Sequence, residues 1–184
     1  MIRMAATHVV LLRGINVGGT STVPMKDLQA AIAGAGFADV RTYINSGNVL
    51  LAAKGTDEAI RGKVESLLWK RFGKHIPCIV RSVRDLRAIA RKIPADWKND
   101  GKTQKTDVLF LWPEVDNKAS VAEIKTNPDV DVLRHFNGVV VWHLGSREDY
   151  KKSKMRYFIG TRVYKAMTAR NVNTVRKLVE LAGA

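Results

Sequence analysis

The first half of this chain alternates short apolar runs with segments whose apolar residues recur at helical spacing, and this order limits the folds open to it. Apolar runs rich in Val, Ile and Leu are typical of buried strands, whereas apolar residues three and four positions apart indicate a helix. Gly36 and Gly73 stand where two such helices end, a position that glycine commonly fills. The predicted elements are a strand over 8–12, a helix over 24–36, strands over 40–44 and 49–53, a helix over 57–72 and a strand over 76–80.

This β-α-β-β-α-β order predicts an α+β fold whose first part is ferredoxin-like. A basic helix is predicted next, over 83–93, and a polar stretch that contains an Asp-Gly pair follows over 94–104. Such a stretch favours a linker. We therefore predict two linked sub-domains, residues 1–93 and residues 105–184.

The second half predicts a related but degenerate α+β unit, β-α-β-β-α-α, with extra C-terminal helices. Its clearest signal is Asn137-Gly138 between two apolar runs, a dipeptide typical of tight hairpins. The two halves share no repeated sequence, so they resemble each other only in the order of their predicted strands and helices. The predicted elements are a strand over 108–112, a helix over 120–125, hairpin strands over 130–136 and 139–144, and helices over 157–167 and 172–181.

The cysteine content and the hydrophobic runs predict a cytoplasmic protein. Cys78 is the single cysteine and lies in an apolar run, which indicates a buried strand residue rather than a reactive thiol. One cysteine makes no internal disulfide, so the sequence makes no demand for an oxidising compartment. The run Val9–Leu12 ends at Arg13 and is too short for a signal peptide or a membrane span, so we expect no membrane association.

The strongly basic balance predicts attraction for polyanions. Lys and Arg number 31 against 17 acidic residues, a net charge of +14, and Arg147–Lys177 alone holds ten basic and two acidic residues. A ferredoxin-like order is also that of an RNA-recognition module, whose central strands carry aromatics that stack bases. The corresponding strands here, 8–12 and 49–53, hold no aromatic residue. That specific module is excluded, and non-specific electrostatic binding of nucleic acid stays open.

Several catalytic and cofactor-binding patterns are missing from the sequence. The loop over 14–21 has two glycines spaced as in a phosphate-binding loop, but Thr20 stands where that mechanism needs a lysine. The same loop fits an anion-binding nest of backbone N–H groups, or a strand-to-helix connection that simply needs glycine. The four histidines are scattered without ligand spacing. We therefore predict no metal and no cofactor.

Polar residues cluster at the predicted ends of elements. In the first half these are Arg13 and three asparagines in turns, and in the second half Arg170 precedes a helix for which Asn171 is a candidate cap. Asn and Ser in turns usually hydrogen-bond their own backbone, and this local role explains the presence of each residue when it is considered alone. A shared polar cleft accounts for their common placement at element ends. The residues alone leave both interpretations open.

The same residues carry a family likeness. Four strings closely resemble the bacterial family called domain of unknown function 1697: LLRGINVGG over 11–19, VPM over 23–25, TYINSGNVL over 42–50 and TARNVNTVRKL over 168–178. The resemblance implies two linked α+β sub-domains, the first ferredoxin-like, and it implies no activity. The family's signature polar residues fall on Arg13, Gly14, Asn16, Gly18, Gly19, Ser46, Gly47, Asn48, Arg170, Asn171, Asn173 and Thr174. The family usually has Gln where Asn45 stands and Trp where Val172 stands, which weakens any stacking role for that last position.

From these observations we predict a binding protein for an anionic ligand, such as a nucleotide, a phosphate compound or a nucleic acid, held in a polar Arg/Asn cleft. Two alternatives remain: a structural motif between sub-domains of a protein-interaction module, and an enzyme of unidentified class with Tyr43 or Ser46 near the chemistry. No catalytic residue is identified. The predicted ligand-binding residues are Arg13, Asn16, Gly18, Gly19, Asn45, Ser46, Asn48, Arg170, Asn171 and Asn173.

Overall fold

The computed structural model describes residues 5–17 and 22–183, and its fold is mixed α+β with two four-stranded antiparallel sheets. The strands are β1 (His8–Leu12), β2 (Ala38–Tyr43), β3 (Asn48–Ala52), β4 (Cys78–Ser82), β5 (Lys105–Leu111), β6 (Asp131–Phe136), β7 (Val139–Leu144) and β8 (Met167–Asn171). The helices are α1 (Met25–Gly34), α2 (Asp57–Phe72), α3 (Val83–Lys92), α4 (Lys118–Ala122), α5 (Asp149–Lys152), α6 (Arg162–Lys165) and α7 (Val172–Ala182). Among the helices formed by the described residues, none is both long and apolar enough to cross a membrane.

The chain divides into two compact units. Met1–Arg87 and Leu178–Ala184 form the first, and Ala88–Lys177 forms the second. The sub-domain limits predicted from the sequence, 1–93 and 105–184, stay a prediction.

The first unit is built on a sheet of order β2-β3-β1-β4. All residues of β1 and β3 are buried, and α1 and α2 contribute the apolar side chains that pack with them in one core. The α2 helix begins after Thr56, whose side chain accepts a hydrogen bond from the Ala59 N–H, and it ends at Gly73 in the left-handed conformation. Cys78 is fully buried in β4, which confirms the prediction of a buried strand residue.

The second unit is built on a sheet of order β6-β7-β5-β8. Its core centres on Trp142 and Phe158, whose rings meet edge to face at 5.7 Å between centroids. The predicted hairpin is confirmed, because Asn137 and Gly138 both take positive φ between β6 and β7. Each sheet therefore places its first strand in the middle and its last strand at an edge.

The predicted β-α-β-β-α-α order of the second half is wrong at its end. Residues 157–167, predicted as one helix, contain a turn and the four-residue α6, and residues 167–171 form the strand β8. The sequence Met-Thr-Ala-Arg-Asn has little β propensity of its own, so the strand depends on its antiparallel pairing with β5. From β5 to β8 the order is accordingly β-α-β-β-α-α-β, and the helix α7 begins directly after that last strand.

A buried carboxylate, Asp131, organises the loops of the second unit. Its Oδ1 accepts hydrogen bonds from Trp142 Nε1 and Ser153 Oγ, and its Oδ2 accepts from the backbone N–H groups of Asn127 and Lys154. Burial alone would raise the pKa of this carboxyl, but the four hydrogen bonds outweigh it and the pKa lies below its ordinary value. Asp131 therefore stays ionised and ties the loop before β6 to the segment that follows α5.

Gly47 lies where the β2–β3 turn crosses the end of β1. Its φ is 75°, and its carbonyl accepts a hydrogen bond from the Leu12 N–H at 2.8 Å. A Cβ at this position would approach Leu12 Cβ to 2.8 Å and Ile15 Cδ1 to 2.9 Å. Glycine is thus required here both by the backbone conformation and by the space.

We expect Gly47→Ala to lower the free energy of unfolding by about 2–4 kcal/mol, because it adds a steric overlap to a left-handed backbone. Gly73→Ala is the matched control, since Gly73 also has positive φ but a Cβ there meets open space. The control should lose only about 1 kcal/mol. Urea unfolding followed by circular dichroism measures both, and equal losses would contradict the steric argument.

We expect Asp131→Asn to cost about 2–4 kcal/mol at pH 7, because it weakens four hydrogen bonds to a buried charged acceptor. Since folding lowers the pKa of this carboxyl, its contribution is present above pH ~4 and is lost as the pH falls through the folded-state pKa. The gap in unfolding free energy between wild type and variant should therefore narrow in acid. Asp129→Asn, at an exposed position two residues away, should change stability by less than about 0.5 kcal/mol.

Candidate functional site

The predicted site residues fall into two groups, one in each unit. Gly18 and Gly19 lie outside the described residues. The first-unit group is Arg13, Asn16, Asn45, Ser46 and Asn48. The second-unit group is Arg170, Asn171 and Asn173. The predicted cleft that joins them stays a prediction, and each group is described by itself.

Asn16 fastens the loop that precedes α1. Its φ is 55°, and its Nδ2 donates to the carbonyl oxygens of Val23 at 3.0 Å and of Asn45 at 2.8 Å. Its Oδ1 accepts from the Val23 N–H at 2.8 Å. Both amide hydrogens and the amide oxygen are thus used by backbone groups, so the contacts of Asn16 are those of a structural residue.

Asn48 and Ser46 order the β2–β3 turn, Asn45 lies within it, and Arg13 directly follows β1. Asn48 is fully buried, and its Nδ2 donates to the Tyr43 carbonyl at 3.1 Å and to Ser46 Oγ at 3.0 Å. The Arg13 N–H donates to the Pro77 carbonyl at 2.8 Å, which ties the end of β1 to the segment before β4. The Asn45 side chain is exposed.

Arg170 is a buried cation on β8. Its Nη1 donates to Thr168 Oγ1 at 3.0 Å and to the Ala169 carbonyl at 2.7 Å. Burial lowers the pKa of the guanidinium to about 10, so the group stays charged at neutral pH. A buried charge is costly unless hydrogen bonds compensate it, and these contacts are part of that compensation.

The next residues order the junction of β8 and α7. The side chain of Asn171 accepts from the Thr174 N–H at 2.8 Å, which confirms the predicted cap. Asn173 Nδ2 donates to the Asn99 carbonyl at 2.7 Å. Asn173 thereby holds the start of a loop that borders a pocket.

This pocket, which we call the basic pocket, has a volume of about 860 Å³ and lies entirely within the second unit. Its walls are the loop over 99–105 and the segment over 146–151. Four cationic side chains line it, with one carboxylate and one aromatic ring. These residues are Lys102, Lys105, Arg147, Lys151, Glu148 and Tyr150.

Asp100 shapes the first wall of the basic pocket. Its Oδ1 accepts hydrogen bonds from the backbone N–H groups of Lys102, Thr103 and Gln104 at 2.7–3.1 Å. Hydrogen bonds from the Thr103 hydroxyl and from these backbone groups hold the pKa of the Asp100 carboxyl well below its usual range. Because the carboxylate stays ionised, the loop keeps its compact turn and holds Lys102 at the pocket wall.

Lys105 and Tyr150 connect the two walls. The Lys105 Nζ lies 3.0 Å from an oxygen of Asp107 and 5.7 Å from the centre of the Tyr150 ring. The Tyr150 side chain is exposed, whereas Lys105 is half-buried at the base of β5. The pocket therefore combines fixed positive charge with an accessible aromatic face.

The basic pocket was missed in the sequence because its two walls are some 45 residues apart along the chain. The sequence does carry one signal, the basic run over 147–177. The other wall lies in the stretch predicted as a linker. There Asp100 accepts hydrogen bonds from backbone N–H groups two to four residues later, a pattern typical of a turn.

Metal-ion chemistry and thiol chemistry find no support among the described residues. These residues contain no group of three His, Cys, Asp or Glu side chains placed to hold a metal ion. Cys78 is buried, and burial raises the pKa of its thiol far above its ordinary value, so the reactive thiolate is disfavoured. His143 is also buried, stacked on Trp97 at 4.2 Å, and burial lowers its pKa.

The comparisons with known proteins agree with the likeness seen in the sequence motifs. Residues 5–142 match the family described as a protein of unknown function, DUF1697. The structure is similar to that of the conserved bacterial protein SP0830 from Streptococcus pneumoniae, with a TM-score of 0.83 and 26% sequence identity over 97% of this chain and 99% of that one. No curated protein matches the chain. The chain belongs to the DUF1697 family of proteins of unknown function.

Proposed function

We propose that this protein binds a phosphate-bearing ligand of nucleotide size in the basic pocket. The observation that carries the proposal is the convergence of four cations and an exposed tyrosine ring on a volume of about 860 Å³. Pockets that enclose small ligands commonly measure about 300–1,000 Å³. This proposal keeps the anionic ligand predicted from the sequence and moves its site away from the Arg/Asn groups.

The chemistry of the lining residues fits a phosphate group joined to a planar ring. Arg147 offers a guanidinium that binds two phosphate oxygens at once, and the lysines offer point charges. The Tyr150 ring offers a face on which a base stacks. Glu148 adds one negative charge, which favours a ligand whose own charge is confined to one end.

We also infer that the first unit is ferredoxin-like. Its element order is β-α-β-β-α-β, and its strand order is β2-β3-β1-β4 with every neighbouring pair antiparallel. The central strands of that sheet, β1 and β3, carry no aromatic residue. The strands β1 and β3 therefore lack the base-stacking surface of an RNA-recognition module, and this supports a ligand site outside the first sheet.

A second candidate function, a structural role for the family's polar residues, is favoured by the hydrogen bonds of Asn16, Asn48 and Arg170. Each of these side chains bonds groups of its own unit. On this view the signature residues form the frame, and the basic pocket is the part that binds. The enzyme alternative stays a prediction, with Tyr43 and Ser46 still its named candidates.

The ligand proposal is tested by calorimetric titration of ATP, AMP and inorganic phosphate at about 150 mM salt, where loose charge attraction is screened. We expect saturable binding of the nucleotides. The double variant Arg147→Gln/Lys151→Gln should raise Kd at least about 10-fold, because each charged hydrogen bond contributes about 1.5–3 kcal/mol.

Lys54→Gln/Lys70→Gln removes the same charge at exposed positions of the first unit and should bind like wild type. If both double variants bind nucleotides equally more weakly than wild type, the loss would reflect general charge attraction rather than a specific site. Absence of nucleotide binding by the wild type would refute the proposal.

A crossed pair of variants separates the frame from the pocket. Arg170→Ala should lose about 1–3 kcal/mol, roughly 3–10 °C in Tm for a chain of this size, and should keep the nucleotide Kd. Arg147→Ala, at an exposed position, should keep Tm and raise Kd. Thermal unfolding and titration of both variants decide the matter. If Arg170→Ala abolishes binding without loss of Tm, the site lies at the Arg/Asn group after all.

A further inference from the structure

We propose that the second unit binds single-stranded nucleic acid, with one base at the basic pocket and a second at Tyr157. This inference rests on the proposed function, because the basic pocket would hold one nucleotide of the strand. It extends that function to a polymer and names a second stacking residue that lies outside the pocket.

The segment that begins at Tyr150 joins positive charge to exposed rings. From Tyr150 to Lys165 it holds six Lys and Arg residues and no acidic residue. The residues Tyr150 and Tyr157 are 50% and 52% exposed. Basic residues interleaved with accessible aromatics are what a single strand requires, since cations track its phosphates and rings stack its unpaired bases.

This segment is held in place by its buried residues. The Ser153 hydroxyl and the Lys154 N–H both donate to Asp131, and Phe158 packs in the core against Trp142. The exposed side chains between these residues are thus carried by a backbone that buried contacts hold in place. A fixed platform loses less conformational entropy on binding than a flexible tail would lose.

Tyr157 repeats the chemistry of Tyr150. The Arg156 guanidinium lies 4.6 Å from the centre of the Tyr157 ring and donates to its hydroxyl at 2.6 Å, and the Lys154 Nζ lies 5.5 Å from the ring. A cavity of about 440 Å³ borders the ring and is lined also by Lys125 and by the carboxylate of Glu123. Each tyrosine therefore has a cation over its ring and an open cavity beside it.

A single strand fits this surface better than a duplex does. Bases in a duplex are already stacked and paired, so they offer no face to an exposed tyrosine, whereas the bases of a single strand do. A mononucleotide has one base, so it would stack on only one of the Tyr150 and Tyr157 rings. Two rings with attendant cations match a ligand that repeats both the base and the phosphate.

The test is fluorescence anisotropy with labelled 12-nucleotide oligouridylate, oligothymidylate and a duplex of the same length, from about 50 to 200 mM salt. We expect both single strands to bind more tightly than the duplex, and the preference between them distinguishes RNA from DNA. Tyr157→Ala should weaken single-strand binding roughly 5- to 150-fold, the loss expected for one stacked base. Tyr157→Phe should retain it, because the ring face is kept.

Trp69→Ala is the control for loss of an exposed aromatic, since Trp69 is 49% exposed and lies in the first unit. It should bind the oligonucleotides like wild type. Equal affinity for single strand and duplex, with no effect of Tyr157→Ala, would overturn the inference and leave only charge attraction.

The same protein titrated with AMP separates the two proposals. Nucleotide binding that depends on Arg147 and Lys151, without oligonucleotide binding, would overturn this inference and retain the proposed function. Loss of both would overturn both.

Discussion

The carboxylate of Asp131 is buried in the second unit, and the position of that unit's exposed segment depends on the hydrogen bonds that satisfy this carboxylate. An ionised carboxylate buried without partners costs several kcal/mol, so the two backbone N–H groups, the indole N–H and the hydroxyl that bond it must stay in place. One of these donors is the N–H of Lys154, which lies midway between Tyr150 and Tyr157. The backbone between the two rings is therefore held by a buried negative charge.

The elements that could be predicted from the sequence are those whose signals are local. The helix over 57–72 has its capping Thr56, acidic residues in its first turn and Gly73 at its end, and all of these lie within one or two turns of the positions they govern. The hairpin at Asn137-Gly138 is equally local. The strand β8 was missed because its stability comes from β5, some 60 residues earlier in the chain. The basic pocket was missed for the same reason, since each wall is unremarkable until the other is placed beside it.

The two sheets share more than their strand order. The N–H groups of Leu12 and Leu111 donate to glycine carbonyls at 2.8 and 2.9 Å. On the last strand of each sheet, an arginine bonds the carbonyl of the residue before it: Arg81 with Val80 in β4 and Arg170 with Ala169 in β8. The strand partners correspond as well, Val9 with Arg81 and Val108 with Arg170. The echo that the sequence showed only as a pattern is thus a correspondence of register, and it places Arg170 at a recurring position of the framework.

That correspondence bears on how a family signature should be interpreted. A polar residue at the end of an element is chemically equipped either to hold a ligand or to satisfy backbone groups that the fold leaves unpaired, and the sequence does not separate these uses. In the described part of this chain, Asn16, Asn48, Asn171 and Asn173 bond backbone or turn groups at 2.7–3.1 Å, whereas Lys102, Arg147 and Lys151 line the open volume of the basic pocket. Framework contacts depend on residue identity, because an amide of the wrong length fails to reach both of its partners. Phosphate binding by exposed lysines tolerates a shift of one position along the chain. The contacts of these four asparagines therefore support a role in holding the fold, and the ligand site that we propose lies at residues outside the signature.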